Sequence, residues 1–146
     1  MADGSASFLV RTYVPADQAG IIRLWEHCGL VSPSNDPKRD IDLKLSFQPG
    51  LLFVAESDGR IIASVMAGYE GHRGWINYLA VAPEHRREGL GRRMMGMAED
   101  ALRKLGCPKV NLQVRADNQA VVEFYERIGF AVEKHFSLGK RLDSGH

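Results

Sequence analysis

Apolar positions along this 146-residue chain recur with two periods, and the changes of period mark its elements. Phe8, Val10, Thr12 and Val14 fall at every second position, which predicts a strand over 8–14. Pro15-Ala16-Asp17 opens a helix with Ile21, Ile22, Leu24 and Trp25 on its apolar face, ending near Gly29. Asp36 caps, and Pro37 begins, a short helix that turns Ile41, Leu45 and Phe47 inward until Pro49-Gly50 breaks it. Strands over 51–56 and 60–69 flank Ser57-Asp58-Gly59, where Asp-Gly supplies the positive φ of a tight hairpin turn. A third strand, 75–81, extends this meander after Gly71-His72-Arg73-Gly74. The clearest helical stripe is Leu90, Met94, Met97, Ala98, Ala101, Leu102 and Leu105, stopped by Gly106 and Pro108. A strand over 109–114, a helix over 118–128 ended by Gly129, and a strand over 130–138 complete the chain. The predicted order is β-α-α-β-β-β-α-β-α-β: an α/β (α+β) class chain with a mixed, mostly antiparallel central sheet and helices on both faces.

Length and composition narrow the function classes. The chain suits one domain over 7–142 behind a flexible tail, 1–6, and is large enough for a real core. A net charge of +1 argues against a dedicated nucleic-acid binder. Arginines instead gather locally at 86, 87, 92 and 93, as a focused anion site requires. Cys28 and Cys107 lack metal-type spacing and read as free buried thiols, and His27 beside Cys28 reads as packing with no metal. Neither a secretory leader nor an apolar run of membrane-spanning length is evident, so a cytoplasmic protein without membrane partners is expected.

The chemistry concentrates between the strand over 75–81 and the helix that follows. A helix start leaves N–H groups unpaired, and its dipole favours negative charge there. Gly89 and Gly91 clear side chains from those groups, and Arg86, Arg87 and Arg92 can add charge-assisted contacts to phosphate oxygens. Neither glycine leads into Gly-Lys-Ser/Thr, which excludes a Walker loop. Arg92-Arg93-Met94 after Gly91 lacks the third glycine of a Rossmann fingerprint. The remaining pattern, R-x-x-G-x-G from Arg86 to Gly91, points to a pyrophosphate-carrying cofactor.

This loop resembles the [QR]-x-x-G-x-[GA] signature of the GNAT acyltransferases, and the element order resembles the GNAT fold along nearly the whole chain. Asn118 followed by Phe124-Tyr125-Glu126-Arg127-Ile128-Gly129-Phe130 is similar to that family's second motif. Tyr69-Glu70-Gly71-His72-Arg73-Gly74, Gly106-Cys107-Pro108-Lys109, Ser137-Leu138-Gly139-Lys140-Arg141-Leu142 and Asn35-Asp36-Pro37 resemble the YpeA-like branch of bacterial acetyltransferases. The resemblance implies acetyl-CoA as cosubstrate and an amine acceptor, in a monomer or homodimer. Its pyrophosphate would contact Arg86, Arg87, Glu88, Gly89, Leu90, Gly91 and Arg92. Its pantetheine arm would run beside Leu79, Ala80 and Val81, with Asn118 bonding the arm from the far side.

For catalysis, Tyr125 is the expected acid for the departing thiolate; the bland alternative is core filling beside Phe124. A backbone N–H over 79–81 would stabilise the oxyanion. Many relatives carry a glutamate on the strand before the loop, but residues 75–81 hold no carboxylate. Glu70 and His72 are therefore the candidate bases, directly or through water, or else a solvated turn. Trp25, Asn35, Asp36 and Tyr69 are the candidate acceptor-pocket residues. The rival reading is a CoA-binding sensor or inactive relative.

Overall fold

In a computed structural model, which describes residues 7–143, Asp58 and Gly59 take φ of 51° and 74° and close the expected hairpin. The expected tail, 1–6, lies outside the described residues. The elements are β1 (Leu9–Thr12), α1 (Gln18–His27), α2 (Pro37–Phe47), β2 (Leu52–Ser57), β3 (Arg60–Tyr69), β4 (Gly74–Val81), α3 (Leu90–Lys104), β5 (Val110–Leu112) and α4 (Gln119–Arg127). The chain divides into two compact units, Met1–Leu112 and Gln113–His146.

The first unit holds a five-stranded sheet in the order β1-β2-β3-β4-β5. β1 to β4 pair antiparallel, and β5 joins β4 in parallel. Helices cover both faces, as the sequence predicts. Ser64, on one face of β3, accepts a hydrogen bond from Trp25 of α1. On the other face Gly74 gives room to Leu102 of α3, whose Cδ1 would lie 3.0 Å from an added Cβ. Ile21, Trp25, Ile41, Leu52, Val54, Val65, Leu90, Met94 and Met95 are fully buried between these layers.

Local chemistry explains the element ends. The Asp36 carboxylate caps α2 by accepting from the Arg39 N–H at 3.2 Å, with Pro37 just inside the helix, as expected. The Arg11 guanidinium donates to Asp17 at 2.8 and 2.9 Å and to Glu56 at 2.8 and 3.1 Å, tying β1 to the turn before α1 and to β2. That guanidinium holds the Asp17 carboxyl below its ordinary pKa.

Three side chains depart from the predicted pattern. Phe47 is 69% exposed. At 3.6 residues per turn it faces away from Ile41, and Lys44 takes the inward place. Tyr13 is buried in place of Val14, because β1 ends at Thr12 and the chain turns into a 3₁₀ turn, Pro15–Asp17. Leu105 is exposed because it is the C-cap, where the chain leaves α3.

In the second unit Asn118 caps α4 by accepting from the Val121 N–H at 3.4 Å. Tyr125 is buried edge-on to Phe124 and Phe130, with ring centroids 5.1 and 5.5 Å away. The final strand predicted over 130–138 requires correction: no strand is found there. Phe136 and Leu138 are 97% and 94% exposed. Alternation supplies a strand with two faces, but a strand persists only when a neighbour completes its ladder and one face is covered.

Candidate functional site

The centre of the first unit's site is a bulge in β4. Asn77 pairs with Met66 and Ala80 with Ser64, so Tyr78 and Leu79 together oppose Val65. Tyr78 sits at φ 54°, a left-handed conformation that costs a non-glycine residue about 1 kcal/mol or more. Surrounding contacts hold it there. Its ring stacks on buried Trp25 at 3.8 Å between centroids. Its hydroxyl donates to Asp40 at 2.5 Å and accepts from the Asn35 amide at 2.7 Å. A buried relay completes the support: Trp25 Nε1 donates to Ser64 Oγ at 2.8 Å, and Ser64 Oγ donates to the Tyr78 carbonyl at 2.7 Å. Burial first, then the bond to Asp40, raises the Tyr78 pKa above its ordinary value, so the phenol stays a donor.

The edge of β4 opens beside this bulge. Pairing with β5 covers only Gly74, Trp75 and Ile76, so residues 77–81 have no partner strand on that side among the described residues of the first unit. Successive backbone groups over 79–81 point alternately toward β3 and out from the open edge, and the outward N–H groups are of the kind an extended, amide-bearing chain can use.

The basic loop follows directly. Arg87 and Gly89 both take positive φ, 69° and 78°, and Gly89 is the N-cap of α3. No side chain caps that helix, so the first-turn N–H groups of Leu90, Gly91 and Arg92 have no internal acceptor. A Cβ added at Gly89 would meet nothing within 4 Å, so the space beside these donors is open. Arg87 and Arg92 are exposed at its rim. The Glu88 carboxylate lies against His85 Nδ1 at 3.2 Å, and Arg86 turns back to the Val81 carbonyl at 3.2 Å and the Cys28 sulfur at 3.8 Å. An uncapped helix start with open space and free guanidinium groups fits a diphosphate.

The other predicted residues lie as follows. Glu70 and His72 are exposed in the β3–β4 connection, with the Glu70 carboxylate accepting from the His72 N–H. Gly74 and Tyr78 are four residues apart, about 13 Å of strand, so that connection lies well away from the bulge. Tyr69 is there too, its hydroxyl donating to the Gly71 carbonyl at 3.2 Å. Trp25 and Asn35 converge on Tyr78, whereas Asp36 serves as a helix cap. Asn118 and Tyr125 share α4 of the second unit, where burial pushes the Tyr125 pKa up to about 12. A separate cleft of about 160 Å³, reaching from Gly20 and His27 to Asp58 and His85, includes none of the predicted residues. No three His, Cys, Asp or Glu side chains gather as a metal site among the described residues.

Sequence reasoning missed Tyr78, Asp40, Ser64 and Lys44. Strand alternation puts Tyr78 with Gly74 and Ile76, toward α3; the bulge swings it to the α1 face. Asp40 and Lys44 were detectable only as polar residues one turn apart, on the face of α2 that carries Ile41.

The model of the acetyltransferase (GNAT) family matches residues 13–130. An acetyltransferase of Yersinia enterocolitica is 44% identical over 133 residues, covering 91% of this chain and 94% of that protein. Ard1 of Thermoplasma volcanium superposes with a TM-score of 0.78 at 22% identity, covering 88% of this chain and 85% of its own. The enzyme AAC(6')-Iy, in complex with a CoA-linked bisubstrate analogue, superposes with a TM-score of 0.76 at 17% identity, covering 93% and 99%.

Proposed function

This chain belongs to the GNAT acetyltransferase family, and on that premise we propose that it transfers acetyl from acetyl-CoA directly to a primary amine. The observation that carries this reading is the uncapped start of α3, with Arg87 and Gly89 in left-handed conformations, following a strand whose outer edge has no partner over 77–81 among the described residues of the first unit. The CoA-linked analogue bound by AAC(6')-Iy supports the same cosubstrate.

Acetyl-CoA supplies an activated thioester; the remaining work falls to the chain. The N–H groups of Leu90, Gly91 and Arg92, aided by Arg87 and Arg92, hold the diphosphate. Leu79, Ala80 and Val81 orient the amide-bearing arm, with Asn118 as a further partner. A backbone N–H at the bulge donates to the thioester oxygen as negative charge develops, an effect commonly worth about 3 kcal/mol. The amine nitrogen bonds to the carbonyl carbon, the carbon–sulfur bond breaks, and the amine proton leaves through water. Glu70 and His72, exposed on the connection between β3 and β4, remain the candidate bases for that proton, directly or through water.

Tyr125 donates a hydrogen bond to the departing sulfur. Its pKa of about 12 lies above that of an ordinary thiol, about 8.5. Complete proton transfer is therefore uphill, and the phenol stabilises the thiolate while solvent supplies the proton. Thiol release measured across a panel of amines tests the whole reading. Turnover is expected with at least one acceptor, and Tyr125→Phe, which removes a donor to the developing charge, should lower kcat about 10²-fold. Acetyl-CoA binding without turnover on any amine contradicts the transfer; unchanged kcat in Tyr125→Phe removes that residue from it.

A further inference from the structure

Lys44 lies on the inward face of α2 and is only 9% exposed, so its side chain is nine-tenths buried. Among the described residues its ammonium makes one hydrogen bond, to Gln48 Oε1 at 3.3 Å. That oxygen also accepts from the Tyr69 N–H at 3.1 Å. Three ammonium protons thus share one partly used acceptor, and no carboxylate of a described residue pairs with them. Burial alone lowers the Lys44 pKa, to about 8, with no opposing contribution from a nearby acid. A buried cation without a counter-ion is costly, and proteins ordinarily pair or remove it.

The surroundings suggest where a counter-ion comes from. Lys44 lies over Gly68 of β3, where an added Cβ would stand 3.4 Å from its Nζ. Gly68 pairs with Trp75, and Met66 with Asn77, so two exposed β4 side chains share this face of the sheet. Asp40, one helical turn before Lys44, bonds the Tyr78 hydroxyl at the bulge. The four residues from Asp40 to Lys44 rise about 6 Å along α2, and the strand from Trp75 to Tyr78 covers about 10 Å. The ammonium and the bulge thus lie on one face, separated by several ångströms. An α-amino acid, whose amine and carboxylate share one carbon, is too short for that gap.

We propose that Lys44 receives the anionic group of the acceptor, making the preferred substrates small amines that carry a carboxylate or phosphate several bonds from the nitrogen. This rests on the acetyl-transfer reading above and adds the acceptor class. Asp40 and Tyr78 keep the bulge in place at one end of the acceptor while Lys44 fixes the other.

Matched acceptors test it. Wild-type protein, Lys44→Met and Lys44→Arg are assayed with acetyl-CoA on ε-aminohexanoate against its amide, and on an amino sugar phosphate against the free amino sugar. Wild type should favour one charged member by about 10-fold or more in kcat/KM, as a hydrogen bond to a charged group implies. The favoured pair identifies carboxylate or phosphate as the group. In Lys44→Met the ratio should fall to about one, chiefly through KM, and Lys44→Arg should restore part of it. No preference in wild type, or the same preference in Lys44→Met, overturns the proposal, as does a preference confined to acidic peptides. Melting curves with the same compounds read the site without turnover. The charged members should raise Tm in wild type and not in Lys44→Met. If they do so while no amine is acetylated, the transfer reading fails and the anion site stands; if they do not, the anion site fails independently.

Discussion

Lys44 is expected to weaken the free protein. Burial holds its pKa near 8, against 10.5 for an ordinary lysine. Between those pH values the unfolded chain binds the additional proton, so stability rises with pH across that window. Below about 8 the penalty is present in full. Lys44→Met should therefore raise stability at pH 7 by about 3 kcal/mol or less, read as a higher urea midpoint. The gap from wild type should close as pH approaches 10.5; a gap independent of pH would show that the charge is not its source. A destabilising residue held in place beside the bulge is what a ligand-binding role predicts.

Among elements, β4 departs most from regular pairing, and its bulge is where several contacts converge on one residue. Tyr78→Phe removes the hydroxyl that serves both Asp40 and Asn35, leaving a half-buried carboxylate without that donor. The expected cost is about 1–3 kcal/mol in urea unfolding, with a fall in kcat if the bulge amide is the oxyanion donor. Unchanged stability and kcat would show that the Trp25 stack alone supports the bulge. The same element explains what could be read from sequence. Hairpin chemistry at Asp58-Gly59, the cap at Asp36, the α3 stripe and the glycine loop are encoded within a few residues each, and all four were legible. A bulge shifts side chains by one register, which depends on the partner strand, so Tyr78 could not be placed from its own segment. Likewise the pattern over 130–138 looks strand-like locally, while strand formation depends on a partner elsewhere.

For the whole molecule, the sheet order and the helices on its two faces bring a bulged, half-unpaired strand into an uncapped helix start. No described helix is long and apolar enough to cross a membrane. The candidate contacts for the diphosphate lie in the basic loop at the start of α3, so one loop substitution should weaken binding without abolishing the fold. Gly89 is suited to this test because the space beside it is open and its φ of 78° strains any side chain placed there. Gly89→Val thus disturbs the donors by both bulk and backbone conformation, with urea unfolding as the control for the fold. The direct measurement is calorimetric titration of wild type and Gly89→Val with CoA and with pantetheine, which lacks the diphosphate and the nucleotide beyond it. Wild type should bind CoA at least about 10-fold more tightly than pantetheine, and Gly89→Val should erase most of that difference. Equal affinity for the two ligands in wild type would contradict a diphosphate held at the start of α3, and with it the account of this site.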